Sequence, residues 1–426
     1  MKLKNKICVL LLMLWLPNVL FAQDLPPKQA VADQRDKVIP QGLATDESMN
    51  EAYQAADTLD VTRTIQVRLN QILKTDLLNT SQMGLMVYDL DADSAIYRYC
   101  ERQTLRPAST QKIFTAVTAL DELGANYQLK TTLAITGNVS NRTLTGDIYC
   151  IGGFDPMLTD DDISVMVDSI RQLGIDTIRG YVYADKSFKD KDLLGEGWCW
   201  DDKNPTLSPL LVNKKDAFVA RLMTTLRNVG IKVTGVGAEK RCPTNAKTIC
   251  SRQHSLIDVM QPMMKESDNL YAEAVFYQLA AAKSGQPATA KNARAVVRQL
   301  INRIGLDPSM YRIADGCGLS LYNYVSAELE VMMLRYAFQN ENIRKHFVST
   351  LPIAAQDGTL KKRMSGTAAA GNVKAKTGTV SAVYSLAGYC TAQNGHHLCF
   401  AILNQGVLGA SRAREIQDKI CIALCK

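Results

Sequence analysis

The sequence predicts a mixed α/β (α+β) protein in which an antiparallel sheet flanked by helices is interrupted by an inserted α/β domain. Strand-like alternation of apolar and polar residues occurs near both ends of the chain, and helical periodicity accompanies it. The middle, from about Tyr127 to Cys250, has its own mixture of both periodicities. The two ends are therefore expected to form one domain and the middle another.

The N-terminal third of the chain contains a predicted hairpin and a predicted helix. Met83 to Tyr99 alternates well enough for two strands that turn near Asp91-Ala92-Asp93-Ser94. A helix follows Pro107-Ala108-Ser109, in which Ser109 fits an N-cap, and its apolar positions recur until Gly124 ends it.

The middle of the chain combines strands with two amphipathic helices. Strands are predicted at Leu129 to Thr136, Asp147 to Ile151 and Thr177 to Ala184. Apolar residues recur at helical spacing from Ile163 to Leu173, and a second helix is predicted from Asp216 to Asn228.

The C-terminal region returns to helices before its final strands. Helices are predicted at Leu270 to Ala282, Lys291 to Ile304 and Ser326 to Phe338. Val380 to Tyr389, rich in apolar and small residues, predicts a strand. Cys421 and Cys425, one turn apart on the predicted last helix, are expected to be core residues.

These elements predict five segments in chain order. They are a signal peptide (1–22), a leader or linker (23–60), the first segment of a catalytic domain (61–126), an inserted accessory domain (127–254) and the second segment of the catalytic domain (255–426). The leader is polar and contains Pro26-Pro27 without sustained periodicity.

The N-terminus predicts export. Lys2, Lys4 and Lys6 precede an apolar run that ends at Phe21-Ala22-Gln23, which is the pattern of a cleaved secretory signal. We therefore expect a periplasmic protein, and no later stretch predicts a transmembrane segment. Loss of three lysines reduces the net charge of +7 to +4, which argues against a nucleic-acid partner.

The cysteines permit disulfides without requiring them. Eleven cysteines become ten when Cys8 leaves with the signal peptide, and the chain is long enough to bury a full core. A two-residue turn at Asn394-Gly395 would place Cys390 opposite Cys399, which predicts a disulfide between them. The cysteines show no Cys-x-x-Cys spacing for zinc, and no metal or organic cofactor is expected.

Three short motifs occur in a fixed order: Ser109-Thr110-Gln111-Lys112, Ser267-Asp268-Asn269 and Lys376-Thr377-Gly378. Each has an ordinary structural explanation, as a helix N-cap, a loop or a turn, and Ser-x-Asn also occurs by chance from Ser48 to Asn50. Their order and co-occurrence indicate a shared site. The chain has no Gly-x-Ser-x-Gly elbow, and its histidines offer no competing triad: His254, His346, His396 and His397.

The first motif pairs a nucleophile with a base. A serine hydroxyl needs a base within hydrogen-bonding reach, and Lys112 lies one helical turn after Ser109. Holding that lysine neutral at pH 7 costs about 4.6 kcal/mol relative to its ordinary pKa. We therefore predict that Lys112 is desolvated.

The other two motifs supply polar groups for a substrate. Ser267 and Asn269 can share a cleft only from a short loop that directs Asp268 elsewhere; Ser267 would relay a proton and Asn269 would hold the substrate's backbone amide. Lys376 would add positive charge for a carboxylate. Thr377 and Thr379 would add hydroxyls to the same site.

The third motif also predicts close approach to the substrate. Gly378 lacks the Cβ that would block a neighbouring backbone. The backbone N–H groups of Ser109 and Thr379 are expected to form an oxyanion hole.

Together the motifs resemble the active sites of penicillin-interacting serine acyl enzymes. Nearly the whole mature chain resembles the class C low-molecular-mass penicillin-binding proteins, a D-alanyl-D-alanine carboxypeptidase and endopeptidase family. Further matching strings are Gly152-Gly153-Phe154-Asp155-Pro156-Met157-Leu158, Gly197-Trp198-Cys199-Trp200-Asp201-Asp202, Asp315-Gly316-Cys317-Gly318-Leu319-Ser320 and Asp357-Gly358-Thr359-Leu360. The first two of these strings have a structural interpretation, as turns and tryptophan packing.

The resemblance implies a penicillin-binding serine transpeptidase-like catalytic domain. It also implies a serine D-alanyl-D-alanine carboxypeptidase that trims peptidoglycan stem peptides, with endopeptidase activity on cross-links as an additional expectation. β-Lactam antibiotics would acylate Ser109. A serine β-lactamase and a catalytically silent wall-binding scaffold are the alternatives; the chain lacks an obvious deacylating glutamate loop, and intact Ser109, Lys112 and Lys376 argue against the scaffold.

Three departures from the family pattern stand out. The family usually has a serine at Cys317 and an arginine at Leu321, so a polar role of either side chain is in doubt here. Leu210-Leu211-Val212-Asn213 runs almost directly into the Asp216 helix, where relatives carry a further β-rich segment. We therefore expect one accessory domain and a cleft with one open side.

Overall fold

The computed structural model describes residues 61–200 and 204–426. The predicted signal peptide and leader lie outside the described residues, as do Asp201, Asp202 and Lys203. Across those two described ranges, no helix has the length and apolar character needed to cross a membrane.

The described residues form twelve strands and ten α-helices. The strands are β1 Gln82–Asp89, β2 Ser94–Tyr99, β3 Gln128–Ile135, β4 Asn138–Ser140, β5 Thr143–Thr145, β6 Ile148–Ile151, β7 Thr177–Asp185, β8 Lys232–Val236, β9 Lys247–Ser255, β10 Lys374–Val380, β11 Val383–Thr391 and β12 His397–Gln405. The helices are α1 at 61–72, α2 Gln111–Glu122, α3 Asp160–Gln172, α4 Phe218–Asn228, α5 Leu256–Lys265, α6 Asn269–Ser284, α7 Ala290–Arg303, α8 Ala327–Gln339, α9 Glu341–Thr350 and α10 Ala410–Leu424.

The first sheet joins the two ends of the chain. Its strand order is β10-β11-β12-β1-β2, and every neighbouring pair is antiparallel. One apolar core packs between this sheet and the helices around α2 and α6, and another packs between its opposite face and α1 and α10. The predicted α/β (α+β) class, with an antiparallel sheet flanked by helices, is confirmed.

The second sheet takes all of its seven strands from residues 128–255. Strands β5, β6 and β8 run parallel to β7, whereas β3 pairs antiparallel with both β6 and β9. Helices α3 and α4 contribute Ile163, Ile170 and Leu222 to its core. This mixed sheet supports the predicted inserted α/β domain, whose boundaries stay a prediction.

The predicted disulfide between Cys390 and Cys399 is wrong. The hairpin loop has three residues, 393–395, with Gly395 at φ +86°, and not two. Cys399 therefore pairs with Tyr389, and Cys390 pairs with Leu398. A shift of one residue turns a side chain to the other face of the sheet, so the two free thiols lie in different cores.

The predicted strand from Val380 to Tyr389 is instead two strands. A tight turn at Ser381 and Ala382 separates β10 from β11, with Val380 paired to Val383. Ala382 adopts φ +58° without the glycine, asparagine or proline that usually indicates a turn. The third motif consequently lies inside β10, at the edge of the first sheet.

Candidate active site

Ser109 lies in a short 3₁₀ turn, Ala108–Thr110, that continues directly into α2. Thr110 occupies the cap position and makes no side-chain cap, so the prediction of an N-cap at Ser109 is wrong. The turn lets Ser109 line a cavity of about 790 Å³. Ala108 adopts φ +48°, so the backbone is strained directly beside the candidate nucleophile.

Lys112 is fully buried beneath Ser109. Its Nζ lies 3.1 Å from Ser109 Oγ, 2.8 Å from Asn269 Oδ1 and 2.7 Å from the carbonyl oxygen of Cys317. A protonated amine donates to all three acceptors. A neutral amine donates to the Asn269 and Cys317 oxygens and accepts from the Ser109 hydroxyl, so only the neutral form can take that proton.

Burial lowers the pKa of Lys112, as expected for a desolvated lysine. Asp315 and Glu273 oppose that decrease when they are charged. Cys317 would do so only as a thiolate, and burial holds the pKa of its thiol well above the ordinary value. Burial, followed by the charge of Asp315, raises the pKa of Glu273 to about 8. Because Glu273 is then mostly uncharged at neutral pH, it stabilises the charged form of Lys112 less than a carboxylate would.

The second motif forms the bend before α6. Ser267 adopts φ +63°, and Asp268 caps the helix by accepting from the N–H groups of Leu270 and Tyr271 at 2.9 and 3.3 Å. Asp268 also contacts Lys214 at 2.7 Å. The carboxylate is therefore directed away from Ser109, while Ser267 lines the cleft, as the spacing predicted.

Lys376 is a second fully buried lysine in the site. Its Nζ donates to Ser267 Oγ and to the carbonyl oxygen of Thr377, both at 2.8 Å. Burial, followed by the positive charge of Lys112, holds the pKa of Lys376 well below its ordinary value. Its contact with Ser267 was not predicted, and its role as a carboxylate ligand stays a prediction.

The outer edge of β10 is open along the cleft. Ala375 N–H donates to Pro352 O, which lies outside the first sheet. Because backbone groups alternate along a strand, the N–H groups of Thr377 and Thr379 face the same edge. Thr379 is exposed, and Thr377 Oγ1 donates to Thr359 Oγ1 at 2.8 Å.

Gly378 brings β10 against the turn that holds Ser109. A Cβ at this position would lie 2.0 Å from Ser385 Oγ, 2.6 Å from Pro107 O and 2.9 Å from Ser109 N. Such distances are far inside van der Waals contact. The predicted requirement for glycine at this close approach therefore has a direct geometric basis.

Asp315 organises the loop that carries the Lys112 acceptor. It accepts from Trp198 Nε1 and from Asn323 Nδ2, both at 2.8 Å, and from two backbone N–H groups. Cys317 contacts Lys112 through its carbonyl oxygen, so that contact does not depend on the side chain that departs from the family pattern. Leu321 is 42% exposed, so its apolar side chain faces solvent.

Glu330 is a buried carboxyl group that sequence reasoning missed. It accepts from Thr110 Oγ1, directly after the candidate nucleophile, and its Oε2 has no partner among the described residues. Burial raises the pKa of Glu330 to about 8. An acidic residue between the apolar neighbours Leu329 and Val331 was the available sequence signal.

Two clusters of metal-ligating side chains occur within the described residues. Glu273, Asp315 and Cys317 are buried, but Asp315 and Glu273 accept from neighbouring N–H groups, which accounts for their positions. The other cluster, Asp89, Asp91 and His396, joins two hairpin turns. Neither arrangement implies a cofactor for Ser109.

Comparison with known families agrees with this geometry. The model of the D-Ala-D-Ala carboxypeptidase 3 (S13) family matches residues 65–210 and 203–425. The chain belongs to this family. It is 26% identical to the D-alanyl-D-alanine carboxypeptidase of Actinomadura sp. (strain R39), with 84% of each chain covered. It is 25% identical to D-alanyl-D-alanine carboxypeptidase DacB of Haemophilus influenzae, and the match covers 75% of this chain and 84% of that relative.

The S13 fold is also evident in solved structures. Penicillin-binding protein 4 of Haemophilus influenzae superposes with a TM-score of 0.73 at 24% identity, covering 81% of this chain and 98% of that chain. A penicillin G-acylated predatory endopeptidase of Bdellovibrio bacteriovorus superposes with a TM-score of 0.55 at 17% identity, covering 80% and 91%. These likenesses confirm the predicted transpeptidase-like fold.

Proposed function

We propose that Ser109 is the residue at which this serine-type D-Ala-D-Ala carboxypeptidase forms its acyl-enzyme. The observation that carries the proposal is the 3.1 Å contact between Ser109 Oγ and the fully buried Nζ of Lys112. A desolvated amine at this distance can act as a general base, and a serine ester splits peptide hydrolysis into two easier steps.

Acylation begins with a stem peptide paired along the open edge of β10. Lys112 takes the proton of Ser109 as the hydroxyl oxygen attacks the penultimate D-alanine carbonyl. The N–H groups of Ser109 and Thr379 stabilise the oxyanion, and the hydroxyls of Thr377 and Thr379 hold the terminal carboxylate. Asn269, whose Oδ1 accepts from Lys112, presents its amide to the peptide.

The leaving amine must then receive a proton. Ser267 lines the cleft and accepts from Lys376, so the pair can relay a proton to that amine. The carbon–nitrogen bond breaks, D-alanine leaves, and water hydrolyses the ester to restore Ser109. Apart from that water, every catalytic group named in these steps belongs to the chain.

The same site would react with β-lactam antibiotics, whose carboxylate and strained amide mimic the peptide terminus. Penicillin-binding protein 4 of Haemophilus influenzae, which shares this fold, has been crystallised in complex with a β-lactam. We place the enzyme in the periplasm, where its substrate lies, because the N-terminal sequence has the pattern of a cleaved export signal.

Labelled penicillin tests the assignment of the nucleophile. We expect the parent enzyme to be labelled at Ser109, and a folded Ser109→Ala variant to take up no covalent label. Label that persists on the variant would overturn the assignment. The lifetime of the acyl-enzyme tests the alternative function: long persistence fits a carboxypeptidase, and loss within seconds a β-lactamase.

A further inference from the structure

One end of the cleft carries three positive side chains for which the described residues provide no acidic partner. Lys361, Lys362 and Arg414 line the same cavity as Ser109, and all three are exposed. As far as the structure describes the chain, none of the three makes an ion pair or a side-chain hydrogen bond. We call these three residues the cationic rim.

The acidic groups nearby do not neutralise the cationic rim. Asp418, the one acidic residue among the described residues that line this cavity, pairs with Arg363 at 2.6 Å. Asp357, which precedes the rim in sequence, pairs with Lys265 at 2.6 Å. Three unneutralised charges at the wall of a cleft create a local potential that attracts anions.

The rim lies on the side of the leaving group. Lys361 and Lys362 follow Thr359 closely, and the hydroxyl of Thr359 accepts from Thr377 at 2.8 Å. In the proposed function, Thr377 holds the terminal carboxylate of the residue that departs. That single carboxylate has its own partners at Thr377 and Thr379, so three further cations indicate a leaving group with additional negative charge.

We propose that the cationic rim is a subsite for a second carboxylate on the leaving group, so the enzyme favours leaving groups that carry more than one carboxylate over D-alanine. This inference rests on the proposed acyl-enzyme at Ser109. The chemistry is unchanged and balanced. The D-alanyl carbonyl carbon forms an ester with Ser109 Oγ, and the bond to the leaving group's nitrogen breaks. That nitrogen takes the proton that Lys112 removed from Ser109, and water hydrolyses the ester.

Two synthetic peptides that differ only in the leaving residue test the subsite. Both share one acyl portion and end in D-Ala-D-Ala or in D-Ala-D-Glu, which adds one carboxylate. The readout is the kcat/KM of the D-Glu peptide divided by the kcat/KM of the D-Ala peptide. We expect this ratio to fall about tenfold in the variant that combines Lys361→Gln, Lys362→Gln and Arg414→Gln. High salt should lower the same ratio in the parent enzyme.

A matched variant controls for net charge. Lys191→Gln, Arg227→Gln and Lys247→Gln remove three exposed positive charges outside the cleft, and the ratio should stay at the parent value. An equal ratio in the parent and the rim variant would overturn the subsite. A parent enzyme that releases neither amino acid would instead overturn the proposed function, and the subsite with it.

Discussion

Lys112 is the residue on which the proposed chemistry depends, because it must combine burial with a readily lost proton. Its three acceptors fit either protonation state, while burial favours the neutral one. Lys376 is buried in the same pocket, and the positive charge of Lys112 adds to burial in lowering the pKa of Lys376.

Replacing Lys112 by arginine separates charge from basicity. Arginine keeps the positive charge but does not lose its proton at working pH, so Lys112→Arg should lower the acylation rate by about 10²- to 10⁴-fold. Stopped-flow acylation with a fluorescent penicillin measures this rate. Lys189→Arg is the matched control, because Lys189 is also buried but pairs with Asp190 outside the cleft. Equal rates in the Lys112 variant and the parent would contradict the role of Lys112 as base.

Glu330 predicts a pH dependence of stability. Its folded pKa of about 8 exceeds the ordinary value of a glutamate, so the folded state retains a proton that the unfolded state loses. The resulting stabilisation is complete below the unfolded pKa and is lost as pH rises toward 8. Glu330→Gln is neutral at every pH, so its free energy of unfolding should decrease less between pH 5 and 8.

Denaturant unfolding at several pH values measures this difference. Glu341→Gln, which removes an exposed carboxyl group, should keep the parent's pH dependence. If the Glu330→Gln variant also kept the parent's pH dependence of unfolding, Glu330 would be charged in the folded protein.

At the scale of a single element, strand β10 has two faces and an edge that make different contacts. Lys376 contacts Ser267 and Gly378 lies against the turn that holds Ser109, whereas Ala375 belongs to the core that includes residues of α10. In the proposed function, the outer edge pairs with the substrate. Because the third motif lies within β10, this one strand positions the buried face, the face toward Ser109 and the open edge together.

A methyl group at Gly378 should therefore impair acylation. Gly378→Ala would force β10 away from the turn of Ser109, at a cost of about 1–3 kcal/mol, because the added carbon meets Ser385 Oγ and backbone atoms. Gly409→Ala is the matched control, since no atom of the described residues beyond its own local backbone lies within 4 Å of the added carbon. Thermal unfolding and acylation rates of the two variants measure the effect, and equal values would show that the close approach is unimportant.

At the scale of the whole molecule, local patterns predicted the elements better than their registers. The hairpin from Met83 to Tyr99 and the helix that ends before Gly124 follow directly from periodicity, and the structure confirms both. The disulfide prediction was wrong because the hairpin loop has one more residue than predicted, and nothing in the sequence requires that residue. The extra residue places Cys390 and Cys399 on opposite faces of the sheet. The β10–β11 turn was not predicted because its residues, Ser381 and Ala382, include no glycine, asparagine or proline.

In the candidate site, too, local contacts were predicted and long-range contacts were not. Spacing predicted the pairing of Ser109 with Lys112 and the direction of Asp268 away from the cleft. The first follows from one helical turn and the second from a short loop. It did not predict the contact of Lys376 with Ser267 or that of Glu330 with Thr110. Those contacts join residues more than 100 positions apart, and only tertiary folding creates them.

The most direct test of the account is the titration of Lys112 itself in the folded enzyme. Nuclear magnetic resonance of lysine labelled at Nζ and Cε, assigned with Lys112→Arg, follows its protonation while acylation is measured over the same pH range. We predict that Lys112 loses its proton well below the pKa of an ordinary lysine, and that acylation rises with the same midpoint. A Lys112 that keeps its proton throughout the pH range of activity would contradict the account.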